Sequence, residues 1–515
     1  MKVRTRIALA LLGAAVVIGG QWWRHAHEGG TNTTDAGPVA VQTAPGTLRL
    51  GTLTFTACQL AQKHSGATTA AYCAPFEVPE NRDAPQGRRI ALKLALVKSD
   101  AAAADSDLVV FLAGGPGQAA TETWPAIADA LAPLRKHRHV LLLDQRGTGG
   151  SNALSCKRAR AAGEDEAPGF DPARIRADTR DCLAEVAQKA DPRYYTTSDA
   201  VRDLEAVRQA LGAPKFDLVG VSYGTRVAQQ YLMRHPDGVR SAVLDSVVPN
   251  ELALGEDFAQ NLEAALKAQF AACTATPACR QRFGDPYATL FKLRDALRAQ
   301  PQTVGYRDPV TFLPGTRRLD EFALAGLVRM FAYAPETSAL LPLTLDQAMQ
   351  GHYGPLMGQV RLLSDDLAET LTGGMQLSVI CAEDADLLRD RPQDKDTLLG
   401  DLLVPAFKAQ CEVWPHGARP ADFHAPLQSA APVLLLEGEL DPVTPPRYGE
   451  QVLKGLPNGR LLVAKGQGHN VIGRGCMPRL VGAFVERLDA KALDASCLDA
   501  LGAMPAFTDF NGAAP

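Results

Sequence analysis

The chain has 515 residues, 46% of them hydrophobic and 21% charged, which is the make-up of a folded globular protein and excludes extensive disorder. That length exceeds one ordinary domain, so the chain holds either more than one unit or one domain with a large insertion. A formal charge of -4 supplies no basic footprint and argues against nucleic acid as a partner.

In chain order, the first feature is Lys2, Arg4 and Arg6 ahead of an uncharged, largely apolar run from Ile7 to Gly20, the layout of an export signal. The run is shorter than the roughly 20 residues of a membrane span. Gln21, Trp22 and Trp23 lengthen it with an interfacial aromatic pair, and no clean small-residue cleavage site follows. Residues 1–27 therefore read as a signal peptide or as a membrane anchor through 7–23. Both readings place the rest of the chain in the periplasm or outside the cell. Residues 28–46 are small, polar and rich in Gly and Pro, as in a flexible linker.

Ten cysteines, all beyond the apolar run, agree with an oxidising compartment. They fall into neighbouring couples, and short loops close most easily. The expected disulfides are Cys58 with Cys73, Cys156 with Cys182, Cys273 with Cys279, Cys381 with Cys411, and Cys476 with Cys497. No C-x-x-C pair or Cys/His cluster has ligand spacing, so no metal site is expected.

From about Thr47 the chain reads as strands. Residues 107–115, DLVVFLAGG, are a β-branched apolar run ending in glycines; 124–136 have helical apolar spacing, and 139–147 read as another buried strand. Residues 197–212 read as a helix with Ser198 or Asp199 as N-cap, apolar positions at 201, 204, 207 and 211, and a stop at Gly212. FDLVGVSYG follows as a strand, TRVAQQYLMRH as a helix and VRSAVLDSV as a strand. Near-continuous apolar strands alternating with helices predict a parallel sheet covered on both faces. The rhythm then breaks. Residues 249–429 are mainly helix-like, and strands return at 431–441 and 459–469 before a closing helix, MPRLVGAFVERLD. The expectation is one α/β domain, 47–248 and 430–515, split by a helical cap at 249–429.

Within that frame, the sequence Gly-Val-Ser-Tyr-Gly at 220–224 sits between a strand and a helix. The pattern G-x-S-x-G is weak alone, but this context is that of a nucleophile elbow, where small flanking residues prevent clashes at a sharp turn, and it singles out Ser222. A serine hydroxyl needs a base to take its proton and an acid to orient that base. Asp441 lies just beyond one strand and His469 just beyond the next, in the chain order Ser, Asp, His of α/β-hydrolases. Loops at the carboxyl ends of parallel strands converge on one edge of the sheet, so the three side chains can meet. Glu439 and Asp245 are rival acids. The loop FLAGGPGQ, 111–118, offers an oxyanion donor at Gly115, since Pro116 has no N–H, and Tyr223 offers the second by following the nucleophile. Phosphate binding by that loop would require a P-loop lysine or dinucleotide glycine spacing, and neither is there.

Taken in order, GGPG after a strand, DQRGTGGS at 144–151, GVSYGTRVAQQY, GELDPVTP and GQGH resemble the prolyl and tripeptidyl aminopeptidase branch of the α/β-hydrolases. CAPFEVPENRDAP near the start, with CAEDAD and CEVWP in the cap, extends the resemblance over residues 50–490. It implies an α/β-hydrolase fold and a cofactor-independent serine peptidase acting at the free N-terminus of short peptides, whose ammonium is held by acidic groups. It carries over Ser222, Asp441, His469, Gly115 and Tyr223. Glu383 and Asp384, beside an expected disulfide, are candidates for the ammonium site, or alternatively a salt-bridging pair. Asp144 and Arg146 match a family motif and read as structural, fixing the loop beneath the site. Ala113 stands where proline iminopeptidases usually carry a His, which shifts the reading toward the tripeptidyl-like side. Ester hydrolysis on the same triad and a catalytically silent binding protein are the alternatives.

Overall fold

In the computed structural model, the described residues are 40–62, 66–156 and 170–513, without the side chains of 363–370. The expected export segment and the first part of the expected linker lie outside them. The linker's last part is not loose chain, because Val41–Ala44 pair as a strand with Thr47–Leu50. Among the described residues, no helix is long and apolar enough to cross a membrane.

An 11-stranded sheet organises the molecule. Its strands are β1 (Val41–Ala44), β2 (Thr47–Leu50), β3 (Leu53–Ala61), β4 (Thr68–Pro79), β5 (Arg89–Val97), β6 (Leu108–Leu112), β7 (Val140–Leu143), β8 (Phe216–Val221), β9 (Val239–Asp245), and, after the cap's own β10 (Gln302–Arg307) and β11 (Pro314–Leu319), β12 (Val433–Gly438) and β13 (Gly459–Ala464). The spatial order is β1-β2-β3-β4-β5-β7-β6-β8-β9-β12-β13. From β7 to β13 all neighbours are parallel, and β1 to β5 add an antiparallel wing joined through β5 and β7. The chain order reverses around β6, so the loops after β6 and β8 leave the sheet in opposite directions and open a crevice at their carboxyl ends.

The parallel strands are apolar on both faces because both are covered. In β6, Leu108, Val110 and Leu112 enter one hydrophobic core, and Val109 and Phe111 enter the other. Helices Thr197–Leu211 and Tyr223–Arg234 close the first face with Val201, Leu204, Val207, Val227 and Tyr231. Helices Ala120–Ile127 and Met477–Arg487 close the second with Trp124, Leu480, Val481 and Phe484. The N-cap of Thr197–Leu211 is Thr196, not Ser198 or Asp199. Its hydroxyl accepts from the Asp199 amide while the Asp199 carboxylate accepts from the Thr196 amide, a reciprocal capping box. Gly212 ends the helix in the left-handed conformation, φ 62°.

The inserted segment differs from the expectation in two ways. It contains a hairpin, β10 with β11, whose short, mostly polar strands carry little apolar alternation. It also does not pack as one unit. Leu262, Leu266, Phe270, Leu293, Leu324 and Val328 build a separate cap core, whereas Met375, Val379, Ile380, Cys381, Cys411 and Trp414 join the first core under the sheet. Within 249–429, the stretch from Leu262 to Met357 thus shares a core of its own, which Leu398 rejoins, while Met375 to Cys381 and Cys411 to Trp414 pack elsewhere. Disulfides Cys58–Cys73, Cys156–Cys182, Cys273–Cys279, Cys381–Cys411 and Cys476–Cys497 use all ten cysteines.

One contact fixes where helix Tyr223–Arg234 can begin. A Cβ added at Gly224 would lie 2.1 Å from the carbonyl oxygen of Leu112, at the end of β6. Neither backbone can yield without unseating a central strand, so Gly224→Ala is expected to lower stability by about 3 kcal/mol, at the upper end for an overpacked core site. A chemical-denaturation midpoint measured beside wild type checks this.

Candidate active site

At the end of β8, Ser222 is held at φ 55°, ψ -122°, a conformation that an L residue rarely adopts. Its N–H donates to the Asp245 carbonyl at 2.8 Å, and its own carbonyl accepts from the Thr225 amide at 2.8 Å and the Thr225 hydroxyl at 2.6 Å. The loop after β6 comes alongside. A Cβ on Gly114 would lie 3.2 Å from that of Ser222. Among the described residues, neither the Gly115 nor the Tyr223 amide is hydrogen-bonded to an acceptor of the chain. Two N–H donors are thus left beside the serine.

His469 and Asp441 meet as expected. Nδ1–H of His469 donates to Asp441 Oδ2 at 2.7 Å. Asp441 also accepts from the Val443 and Thr444 amides, both at 2.8 Å, and from the Thr444 hydroxyl at 2.9 Å. His469 is 8% exposed and Asp441 2%, so both members of the pair are buried.

The rival acids have other work. Both Asp245 oxygens accept amide protons, from Val471 at 2.9 Å and Ile472 at 3.0 Å. Through its carbonyl and its carboxylate, Asp245 thus ties the Ser222 turn to the segment following His469, and burial pushes its carboxyl up to about 6. Glu439 accepts from the Gly466 amide at 2.8 Å, bracing the loop at the end of β13. Asp144 accepts from Thr121 and Gly150, and Arg146 forks onto Asp203 at 2.6 and 2.7 Å. Both are buried within loops, in the structural place expected of them.

The carboxylates of Glu383 and Asp384 do not stand free to receive an ammonium. Both are 0% exposed. Asp384 is paired with the buried Arg226 at 2.9 Å and accepts from the Leu254 amide at 3.2 Å. Glu383 accepts from the Thr197 amide at 2.6 Å and the Thr197 hydroxyl at 2.9 Å. Its carboxyl is pushed up to about 8, by burial first and the neighbouring Asp384 charge second. The salt-bridging alternative describes Asp384, and the Glu383 carboxylate is taken up by Thr197.

Sequence reasoning missed Tyr333. This cap residue accepts the His469 amide proton on its carbonyl at 2.7 Å and sets its ring edge-on to the imidazole, centroids 5.0 Å apart. No local signal marks it, because its role depends on how the cap seats.

A serine turn, a histidine–aspartate pair and a glycine loop at one edge of a mainly parallel sheet define the class: a serine hydrolase on the α/β-hydrolase fold. Residues 107–336 match the family described as alpha/beta hydrolase fold, and residues 398–497 match a family described as TAP-like protein. The chain is similar to serine protease Hip1 of Mycobacterium tuberculosis, 25% identical over 84% of this chain and 88% of that one. Tripeptidyl aminopeptidase of Streptomyces lividans is 30% identical over 34% of this chain and 35% of its own. Carboxylesterase B of Mycobacterium tuberculosis is 28% identical over 41% and 43%.

Asp245→Ala removes the acceptor of two buried amides, each worth about 1–3 kcal/mol when stranded. The expected outcome is a stability loss of about 3 kcal/mol together with a fall in kcat at temperatures where the variant is still folded. Asp245→Asn, which keeps one acceptor, should recover part of both. Denaturation midpoints and turnover on the same preparations decide it.

Proposed function

We propose that this chain is an exported serine aminopeptidase that releases N-terminal residues from peptides through an acyl-enzyme, with Ser222 as nucleophile, His469 as general base and Asp441 as its orienting acid. The observation that carries the reading is the His469–Asp441 bond at 2.7 Å, on a loop that Asp245 ties to the strained turn of Ser222. Nδ1–H is fixed toward Asp441, which leaves Nε2 with its lone pair to take the Ser222 proton.

In the first half, Ser222 Oγ bonds to the peptide carbonyl carbon while its proton passes to His469 Nε2. The oxyanion is met by the Gly115 and Tyr223 amides. The imidazolium then protonates the amine, the C–N bond breaks, and the acyl group remains as an ester on Ser222. In the second half, water gives its proton to His469 and attacks the ester; the carboxylic acid leaves and Ser222 regains its hydrogen. No cofactor enters either half. Peptide as substrate, and release from the N-terminus, are supported by similarity to Hip1 and the tripeptidyl aminopeptidase. Tyr333, roofing the histidine from the cap, favours narrow chain ends over the middle of a folded polypeptide. Export is supported by the five disulfides, which persist in oxidising compartments. Residues 7–23 serve as the cleaved signal or the membrane tether.

Similarity to a carboxylesterase favours a second reading in which the same triad cleaves esters. Product analysis on an unblocked peptide series and its N-acetylated twin separates the two. The aminopeptidase reading expects acetylation to abolish turnover; equal rates, with nitrophenyl esters turned over faster than peptide anilides, would establish the esterase. In either case Ser222→Ala is expected to lower kcat by at least about 10⁴-fold with the fold intact, and Asp441→Asn by about 10⁴-fold through the wrong imidazole tautomer. Failure of Ser222 to react with a fluorophosphonate probe would sink both.

A further inference from the structure

We propose that Glu383 is a positioning residue for the oxyanion pocket, acting through Thr197 on the side chain of Tyr223; this rests on the roles given above to Ser222 and the Tyr223 amide. Four side chains form one buried file. Gln145 Nε2–H donates to the Tyr223 hydroxyl oxygen at 3.1 Å. The Tyr223 and Thr197 hydroxyls are 2.6 Å apart. The Thr197 hydroxyl donates to Glu383 Oε2 at 2.9 Å, and the Thr197 amide donates to Oε1 at 2.6 Å. Because Thr197 has a single hydroxyl hydrogen and gives it to Glu383, it accepts from Tyr223. Every proton then has one destination, in a chain that runs from Gln145 to the carboxylate.

Tyr223 is 1% exposed, this file grips the far end of its ring, and its own amide has no acceptor among the described residues. A ring pinned at its hydroxyl resists rotation about its Cα, and with it rotation of the Ser222–Tyr223 peptide plane that aims the N–H. Oxyanion donors act through such preorganisation.

The order of the file depends on the charge of Glu383. A protonated carboxyl would donate from Oε2 to the Thr197 oxygen, the Thr197 hydrogen would swing to Tyr223, and the Tyr223 hydrogen would lose its acceptor unless the Gln145 amide turned over. The complete file therefore belongs to the ionised form. Burial and the adjoining Asp384 charge raise the Glu383 carboxyl to about 8, against Arg226 and the Thr197 donors. On the other side, Arg419 and His424 Nε2 hold its backbone carbonyl. The ionisation thus falls inside the range where the enzyme can be assayed, with the competent form on the alkaline side.

The test is kcat against pH on an unblocked peptide anilide, with fluorophosphonate labelling of Ser222 measured on the same preparations. Wild type is expected to show a rise near pH 8 beyond the titration of the base. Glu383→Gln presents an amide donor to Thr197, as the protonated acid does; it should lose that rise and run at about one tenth of wild-type kcat, with KM within about twofold. Tyr223→Phe keeps the amide and the ring, deletes only the link, and should lose the same rise, so the test stands even where the glutamine variant does not fold. The proposal is overturned if wild type lacks the rise, or if Tyr223→Phe keeps it at an unchanged midpoint. Failure of the underlying reading looks different: wild-type Ser222 then does not label and nothing turns over, which removes both.

Discussion

The close approach of Gly224 to the Leu112 carbonyl governs the arrangement around Ser222. Helix Tyr223–Arg234 starts directly on the end of β8, leaving Ser222 no room to adopt an ordinary strand or helix conformation. Holding it at φ 55° costs on the order of 1–3 kcal/mol. The turn persists because it is tied on both sides, by the Asp245 carbonyl before it and Thr225 after it, and the Thr225 hydroxyl in turn accepts from the Val248 amide at 2.8 Å. The strain is therefore offset by ties to the central strands.

From the same turn the ties run on to the histidine. Asp245 links β9 to residues 471 and 472, and the Ser246 hydroxyl accepts from the Asn470 amide at 2.8 Å. Above, the Tyr333 carbonyl takes the His469 amide, which is possible because residue 468 is glycine: a Cβ there would sit 2.3 Å from that oxygen. The His469 loop is thus clamped between sheet and cap. A cap bonded to the backbone of His469 cannot lift away as a free lid without disturbing that residue, so on the proposed function substrate selection and positioning of the base share one contact.

What the sequence made legible was local. A strand, a turn of small residues and a helix are read within fifteen residues of Ser222, and Asp441 and His469 follow successive strand ends at a separation of 28. What it hid was set by contacts between distant segments. Glu383 finds Thr197 across 186 positions and Asp384 finds Arg226 across 158, so a carboxylate pair that looks available in the chain is engaged in the fold. Thr196, Ser198 and Asp199 are all good caps, and only the reciprocal bond picks Thr196. The division of 249–429 between two cores is hidden for a related reason: Met375 and Val379 are as apolar as Leu324 and Val328, and nothing in their spacing says which core they enter.

Three carboxyls, Asp441, Asp245 and Glu437, lie close enough to act on one another, and their donors explain which of them orients His469. Asp441 accepts four hydrogen bonds, one of them from the imidazole. Asp245 accepts two through its carboxylate, both from amides beyond the histidine. Glu437, 0% exposed, accepts from the Val247 amide at 3.2 Å and has no partner for Oε2 among the described residues; burial first, and the Asp441 charge second, hold its carboxyl well above the usual range. A dry site cannot stabilise three adjacent negative charges, and hydrogen-bond donors decide where charge settles. They are gathered on Asp441 by the tight turn after β12, whose two amides and threonine hydroxyl point inward whether or not the imidazole is charged. On the proposed mechanism, in which His469 takes a proton, the positive charge forms against a carboxylate already held by two amides and a hydroxyl, so no rearrangement is needed.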